Sequence, residues 1–199
     1  MTDSPSVPDF VHLRTHSHYS LLSAPARIGD LVSCAAADEQ TAIGLTDSGN
    51  LYGAIEFYKK ARGKDLKPIL GMIAYEAGRS RLEKTSASNP NYQLTLLAEY
   101  DTGWSILKRL SSLGFMDGFY FRPRIDREVL AEHSEGLICL TGDESGTISR
   151  HLQANDTKSA VEALGQLREV FGKDNVYVEI SETGIETQRR VNPLLVDLA

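Results

Sequence analysis

Short apolar runs alternate with helix-spaced apolar positions along almost the whole chain, and that alternation restricts the architecture more than any single residue does. FVHLRTH (10–16), AIGLTD (42–47), KPILGMIAYEA (67–77), YQLTLLAE (92–99), GLICLTGD (136–143) and NVYVEIS (175–181) each read as a strand. Between them, Ile28, Leu31, Val32, Ala35 and Ala36 recur at the spacing of a core-facing helix, as do Trp104, Leu107, Leu110 and Leu113 behind the start signal Asp101/Thr102. Asn50 is placed to cap a helix whose inner face carries Leu51, Ile55, Tyr58 and either Ala61 or the stem of Arg62. A short helix is expected near 126–134. Another from about 158 turns Val161, Leu164, Leu167 and Phe171 inward and ends at Gly172, and a last begins in ETQRRVNPLLVDLA, with Pro193 starting or kinking it. Strands alternating with helices predict βαβ units and a mostly parallel α/β sheet, open or closed as a barrel. Six strands do not close an eight-stranded barrel, and the last helical pattern has no strand after it, so the fold is expected to be incomplete at its C-terminal end.

Composition narrows the setting. With 199 residues and 41% hydrophobic content, the chain can bury one sizeable core or two small ones, read here as a flexible polar leader (1–9) and one domain (10–199). No run of about 18 apolar residues occurs, and MTDSPSVPDF has neither a basic start nor an apolar stretch, so a cytoplasmic protein with no membrane contact is expected. Cys34 and Cys139 stand far apart in apolar segments, which suggests buried thiols in a reducing compartment. The net charge of −6 argues against a stand-alone nucleic-acid binder, although residues 51–127 hold 13 Lys/Arg against 8 Asp/Glu. That excess reads as a local basic patch or as an ordinary solvated surface.

In α/β sheets the chemistry gathers at the C-terminal ends of the parallel strands. On the first strand His12, Arg14, His16 and His18 share one face if the two-residue period holds, with Ser20 close behind. Two imidazoles two residues apart can ligate one metal ion, and a hydrogen-bonded rim histidine beside a solvent-facing one is the competing reading. Asp47 opens the turn TDSGN, where it either binds metal or simply shapes the turn. Glu76, Gln93 and Asp143 stand at comparable positions on later strands. The alternative metal set is therefore His16, His18, Asp47, Glu76 and Asp143, for Zn, Mn or Mg.

The ordered motifs FVHLRTHSHYSLL, TDSGNLYGAIEFYKKA, LKPILGMIAYEAGRSR, QLTLLAEYDTGW and GFYFRPRIDREVLAEHSEGLICLTGDESG together resemble the PHP (polymerase and histidinol phosphatase) domain at the start of bacterial DNA polymerase III alpha subunits. The resemblance covers roughly residues 10–190. It implies a PHP-type distorted (β/α)7 barrel, with the palm, fingers and clamp-binding segments of the polymerase later in the polypeptide.

The resemblance also implies a metal site at the strand ends, and this chain departs from it repeatedly. Of the histidine pair in HxHT, Arg14 replaces the first and His16 keeps the second. Ser23 stands for an Asp, Ser48 for a His, Ile73 for a Glu, Gln93 for a His and Asp143 for a Cys, and the last Asp-x-His ligands would lie beyond Ala199. Ile73 cannot ligate, Ser48 and Gln93 are weak neutral donors, and Arg14 brings a permanent cation that can pair with Asp143 or Asp47. The role implied for such a domain is a non-catalytic scaffold with no cofactor expected, attached to the rest of the alpha subunit. By the same resemblance it carries a separate proofreading exonuclease subunit, reaches the clamp through other domains and meets DNA only indirectly. The alternative is a metal-dependent phosphoesterase or 3′–5′ exonuclease.

Overall fold

The computed structural model describes residues 10–85 and 89–199, so the expected leader over 1–9 lies outside the described residues, as do 86–88 within the Ser/Asn-rich loop. After an irregular first stretch the chain forms α1 (Ile28–Ala37), β1 (Ala42–Ser48), α2 (Ala54–Arg62), β2 (Lys67–Ala77), β3 (Asn91–Ala98), α3 (Asp101–Met116) and β4 (Arg124–Ile125). It continues through α4 (Arg127–Glu132), β5 (Leu137–Leu140), α5 (Thr147–Gln153), α6 (Thr157–Phe171), β6 (Val176–Tyr177) and α7 (Glu186–Leu198).

All six strands join one mixed sheet in the order β1-β2-β3-β5-β6, with β4 alongside β2. The β1–β2, β2–β4 and β5–β6 pairs are parallel, whereas β3 runs antiparallel to both its neighbours. The mostly parallel sheet expected from sequence therefore holds for every strand except β3. The connection 78–90 has no helix among its described residues, and a chain that makes no crossover returns antiparallel. Because β3 is reversed, its first residues lie level with the ends of the parallel strands: Gln93 sits opposite Tyr75.

The first predicted strand is only partly regular. Gly44 N donates to His12 O (2.7 Å) and Thr46 N to Thr15 O (2.8 Å), so the segment lies beside β1. Three steps on it match two on β1, and the surplus is taken up by a bend at Arg14. The two-residue alternation consequently does not carry from His12 to His16; His12 is exposed, while Arg14 and His16 are half-buried. Contact is so close that a Cβ on Gly44 would lie 2.4 Å from Leu13 O, which only glycine avoids.

Two apolar clusters hold the fold. Met72, Leu94, Leu96, Leu137 and Cys139 on one face of the sheet meet Leu107 and Leu110 of α3 and Leu164 and Leu167 of α6, while Ile28, Val32, Leu45 and Phe57 pack α1 and α2 against β1. Several expectations need correction. Helix α2 buries Ala54, Phe57 and Ala61 and leaves Ile55 and Tyr58 exposed, because it starts at Ala54 and not directly after Asn50, whose side chain accepts from Tyr52 N in the preceding turn. On α6, Val161 is exposed and Ala160 and Ala163 take the inner face. Cys34 is exposed; only Cys139 is buried. The connection 78–90 is tied to the core: Asn89 is buried and Arg124 Nη2 donates to the carbonyls of Arg81 (3.0 Å) and Glu83 (3.1 Å). No sequence pattern announced β4 or α5.

The sheet does not close. Its order ends at β1 on one side and β6 on the other, and between the 10–16 segment and residues 177–188 lies a groove of about 960 Å³, lined by Ile69, Leu97, Ile138 and Leu140 with Arg14 and Asp143 at one end.

Candidate functional site

At the rim where the parallel strands end and β3 begins, the bend in the first segment carries Arg14 across the sheet. Its Nη1 meets Asp143 Oδ2 at 2.5 Å and Glu179 Oε1 at 3.2 Å, and its Nη2 reaches Gln93 Oε1 at 3.4 Å. Ser145 N donates to Asp143 Oδ1 (3.0 Å), and Thr95 Oγ1 donates to Glu179 Oε2 (3.0 Å). Glu179 N in turn donates to Thr141 Oγ1 (3.0 Å), which fixes the end of the last strand region against β5. One guanidinium thus compensates two carboxylates that are both largely shielded from water.

The electrostatics follow from that shielding. Burial raises the Glu179 carboxyl above its ordinary value, opposed by the Arg14 charge and the Thr95 hydroxyl. Burial first and the Arg14 charge second lower His16, against a hydrogen bond to the Thr46 backbone and the charges of Asp47 and Asp143. His16 Nδ1, His18 Nδ1 and Arg14 Nε are buried without hydrogen-bond partners among the described residues.

Asp47 is not part of this cluster. It accepts from Ser17 N (2.7 Å), Ser17 Oγ (2.7 Å) and Ser20 Oγ (2.6 Å), so neutral donors from the 17–20 turn occupy it. Ser48 N donates to Ser20 Oγ (3.0 Å), Ser23 is exposed at the end of the same turn, and Ile73 is buried in β2 beside Ser48 and Thr95. Glu76 lies apart from the Arg14 group. On β2 it alternates with Tyr75, pairs with Arg127 Nε and accepts from Thr147 Oγ1 (3.0 Å), beside a separate pocket of about 330 Å³. Of the alternative metal set His16, His18, Asp47, Glu76 and Asp143, Glu76 is thus directed elsewhere and Asp47 is already committed. Among the described residues no group of three or more His, Cys, Asp or Glu side chains is arranged to hold a metal ion.

Sequence reasoning missed Glu179. The signal was present: NVYVEIS places a carboxylate at the exit of the last strand, the position at which Asp143 drew attention after β5. Thr95 and Thr141, which hold Glu179 in place, carry no sequence signal of their own.

The model of the family described as "PHP domain" matches residues 12–183. DNA polymerase III subunit alpha of Borreliella burgdorferi is 42% identical over 189 residues, which are 94% of this chain and 16% of the relative. The same subunit of Treponema pallidum is 38% identical over 192 residues and that of Thermus aquaticus 39% over 195, each covering 96% of this chain and 16% of the relative. The chain therefore spans about a sixth of the length of these relatives. A solved structure from Bifidobacterium adolescentis, described as a candidate metal-dependent phosphoesterase, is similar with a TM-score of 0.44 and 11% identity, over 91% of this chain and 94% of that one.

Proposed function

This chain belongs to the PHP domain family, and on that premise we propose that it is the PHP domain of a bacterial DNA polymerase III alpha subunit, serving there as a scaffold in place of a metal-dependent hydrolase. In this reading the domain works in the cytoplasm, joined to the polymerase portion of the subunit. A proofreading exonuclease subunit docks on it, the clamp is reached through other domains, and the open sheet is closed by a segment of the same polypeptide. The identity over nearly the whole chain supports the polymerase assignment.

The observation that carries the scaffold reading is the guanidinium of Arg14 between Asp143, Glu179 and Gln93. A multi-metal hydrolase surrounds its ions with anionic or neutral donors and lets them acidify a bridging water. Here a permanent cation stands among the carboxylates, Ile73 offers no donor, and His16 is the one imidazole kept from the family pattern. The residues present do not fit a tightly held metal centre, and no catalytic step is assigned to one. The alternative, a phosphoesterase or 3′–5′ exonuclease using Zn, Mn or Mg, would require Asp47 to leave its serines and Arg14 to withdraw.

Metal analysis after dialysis, run beside nuclease assays in Mn²⁺ and Zn²⁺, separates the two readings. The scaffold reading expects substoichiometric metal and no cleavage of DNA ends. Stoichiometric metal with cleavage abolished by His16→Ala would overturn it. The polymerase assignment is tested on the native polypeptide, which should extend a primer on a template while residues 1–199 alone do not.

A further inference from the structure

Residues 51–127, which hold 13 Lys/Arg against 8 Asp/Glu, also supply most of a row of surface rings. Starting from Tyr19, the rings of Tyr52, Phe115 and Phe119 follow one another with centroid separations of 6.4, 6.2 and 6.2 Å. Tyr19 is half-buried, whereas Tyr52, Phe115 and Phe119 are exposed. The planes of these three turn by only 32° and 16° from one ring to the next, so similarly oriented π-systems stand in succession at the surface.

The even spacing selects the occupant. Each separation is close to twice the ~3.4 Å rise per nucleotide of a stacked strand, so a single strand drawn along the row is extended, with one base for each ring. Successive bases stacked on aromatic side chains are how unpaired strands are held without regard to sequence, because every base has a π-face. A duplex keeps its bases paired inside and offers only their edges in the grooves. Beyond Tyr19, Leu21 and Leu22 are exposed, and Leu22 is held at φ 64 in a turn that Asp47 fastens through Ser17 and Ser20. A rigid apolar projection of that kind serves as a wedge that parts one base from the next.

Cations for the phosphates flank the rings. Lys108 and Arg109 stand two helical turns before Phe115 and Met116 on α3, and Lys59 and Arg62 follow exposed Ile55 on α2 at i+4 and i+7. Arg122, exposed beyond Phe119, lays its guanidinium over the Tyr75 ring. Against them, Glu56 is paired with Lys60 (3.7 Å), and Asp117 beside Met116 is half-buried. A second copy of this chain would set these cations against each other, whereas a phosphate backbone neutralises them.

We infer that the row from Tyr19 through Tyr52 and Phe115 to Phe119 is a stacking platform for an unpaired stretch of DNA, with Lys59, Arg62, Lys108 and Arg109 meeting its phosphates. Family resemblance implies only indirect contact with DNA, and the net charge of −6 opposes binding over the surface as a whole. The platform acts locally, where the charge balance is reversed and more distant carboxylates are screened by salt. That the strand is DNA rests on the reading of this chain as part of a DNA polymerase subunit; that it is single-stranded rests on the rings and their spacing alone.

Photo-crosslinking of the full-length polypeptide to oligo(dT) carrying 5-iodouracil tests it, with the joined peptides mapped by mass spectrometry. Products within residues 1–199 should fall on Tyr52, Phe115 or Phe119, and their yield should drop as salt is raised. Tyr52→Ala combined with Phe119→Ala should lower that yield about tenfold or more, since two stacking contacts are lost. Far-ultraviolet circular dichroism should not change, because both side chains are exposed. Products confined to residues outside 1–199, a yield that the double variant leaves unmoved, an equal yield from the same strand annealed to its complement, or stronger competition by oligo(U) than by oligo(dT) each overturn the inference. Protein crosslinks from p-benzoylphenylalanine at Tyr52 that excess oligo(dT) does not suppress overturn it too, because they put a protein surface on the row. A full-length polypeptide that crosslinks at the row yet extends no primer overturns the polymerase reading and leaves the platform standing, whereas one that extends a primer with no product at the row overturns the platform alone.

Discussion

Asp47 and Asp143 stand at the same rim, each at the end of a parallel strand, yet they are satisfied in opposite ways. Asp47 is almost fully buried and is matched by three neutral donors from one turn, whereas Asp143 shares a single guanidinium with Glu179. The first arrangement is geometric and local, and it shapes the 17–23 turn. The second is a balance of charge across strands distant in sequence, so it depends on pH and on every member keeping its ionisation state. Position at a strand end alone would treat both residues as candidate ligands; their partners separate them.

The sharpest way to break the contrast is Asp47→Ala, which leaves the Ser17 amide and two buried hydroxyls without acceptors. A loss of about 3–5 kcal/mol is expected, from the cost of stranding several buried donors, and urea denaturation measures it. A change below about 1 kcal/mol, the size of an exposed contact, would place Asp47 outside the structural class.

Next is Arg14→Ala, with an expected loss of roughly 1–2 kcal/mol near neutral pH, reduced from the fully buried case because the pair is partly solvated. The sign of its pH dependence is defined. Glu179 is raised above 4.5 in the folded protein, so its contribution is fully present below that value and is lost as pH rises through the raised one. Removing Arg14 raises it further. Melting curves of the two proteins should nearly coincide in acid, where Glu179 is protonated in both, and separate as pH approaches neutrality. A constant gap across that range would mean that Arg14 does not neutralise Glu179.

The smallest effect concerns His16. Its folded value lies below 6.5, so its stabilising contribution is present above 6.5 and is lost as pH falls through the lowered value. In Arg14→Ala the titration should move upward yet stay below 6.5, because burial is the larger cause. The imidazole proton shifts followed by NMR report it, and an unmoved midpoint would remove Arg14 from the neighbourhood of His16.

These partners mark how far the sequence could be read. Helices whose inner residues are large and regularly spaced, such as Leu107 and Leu110 on α3, were legible because a 3.6-residue period leaves little choice. Helix α2 was read one residue out of phase, since Ile55 and Tyr58 mimic a core face while the small Ala54 and Ala61 supply the real one. The reversal of β3 was not read, although its signal lay in the connection: no helix-spaced apolar pattern separates β2 from β3, and strand direction is a property of the connection and not of the strand's own residues. Charge placed Arg14 against either Asp143 or Asp47, and the fold gives it Asp143 while Asp47 is taken by Ser17 and Ser20. Glu179 was missed although a carboxylate at a strand exit was visible; its partners come together only when β6 is laid beside β5 and Thr141 is brought to its amide.

The reversed strand also bears on how the molecule assembles. Because β3 turns back directly beside β2, that pair can form from one continuous stretch of chain, whereas β1–β2 must wait for α2 and β5–β6 for both α5 and α6. Contacts close in sequence carry a smaller loop-closure cost and tend to appear early. The β2–β3 ribbon is thus the natural folding nucleus, with the parallel strands added outward on either side. Conservative truncations at Leu94 or Leu96 should slow refolding, whereas those at Val176 should mainly speed unfolding; kinetic φ-values ranked the other way would assign the nucleus to the β5–β6 side.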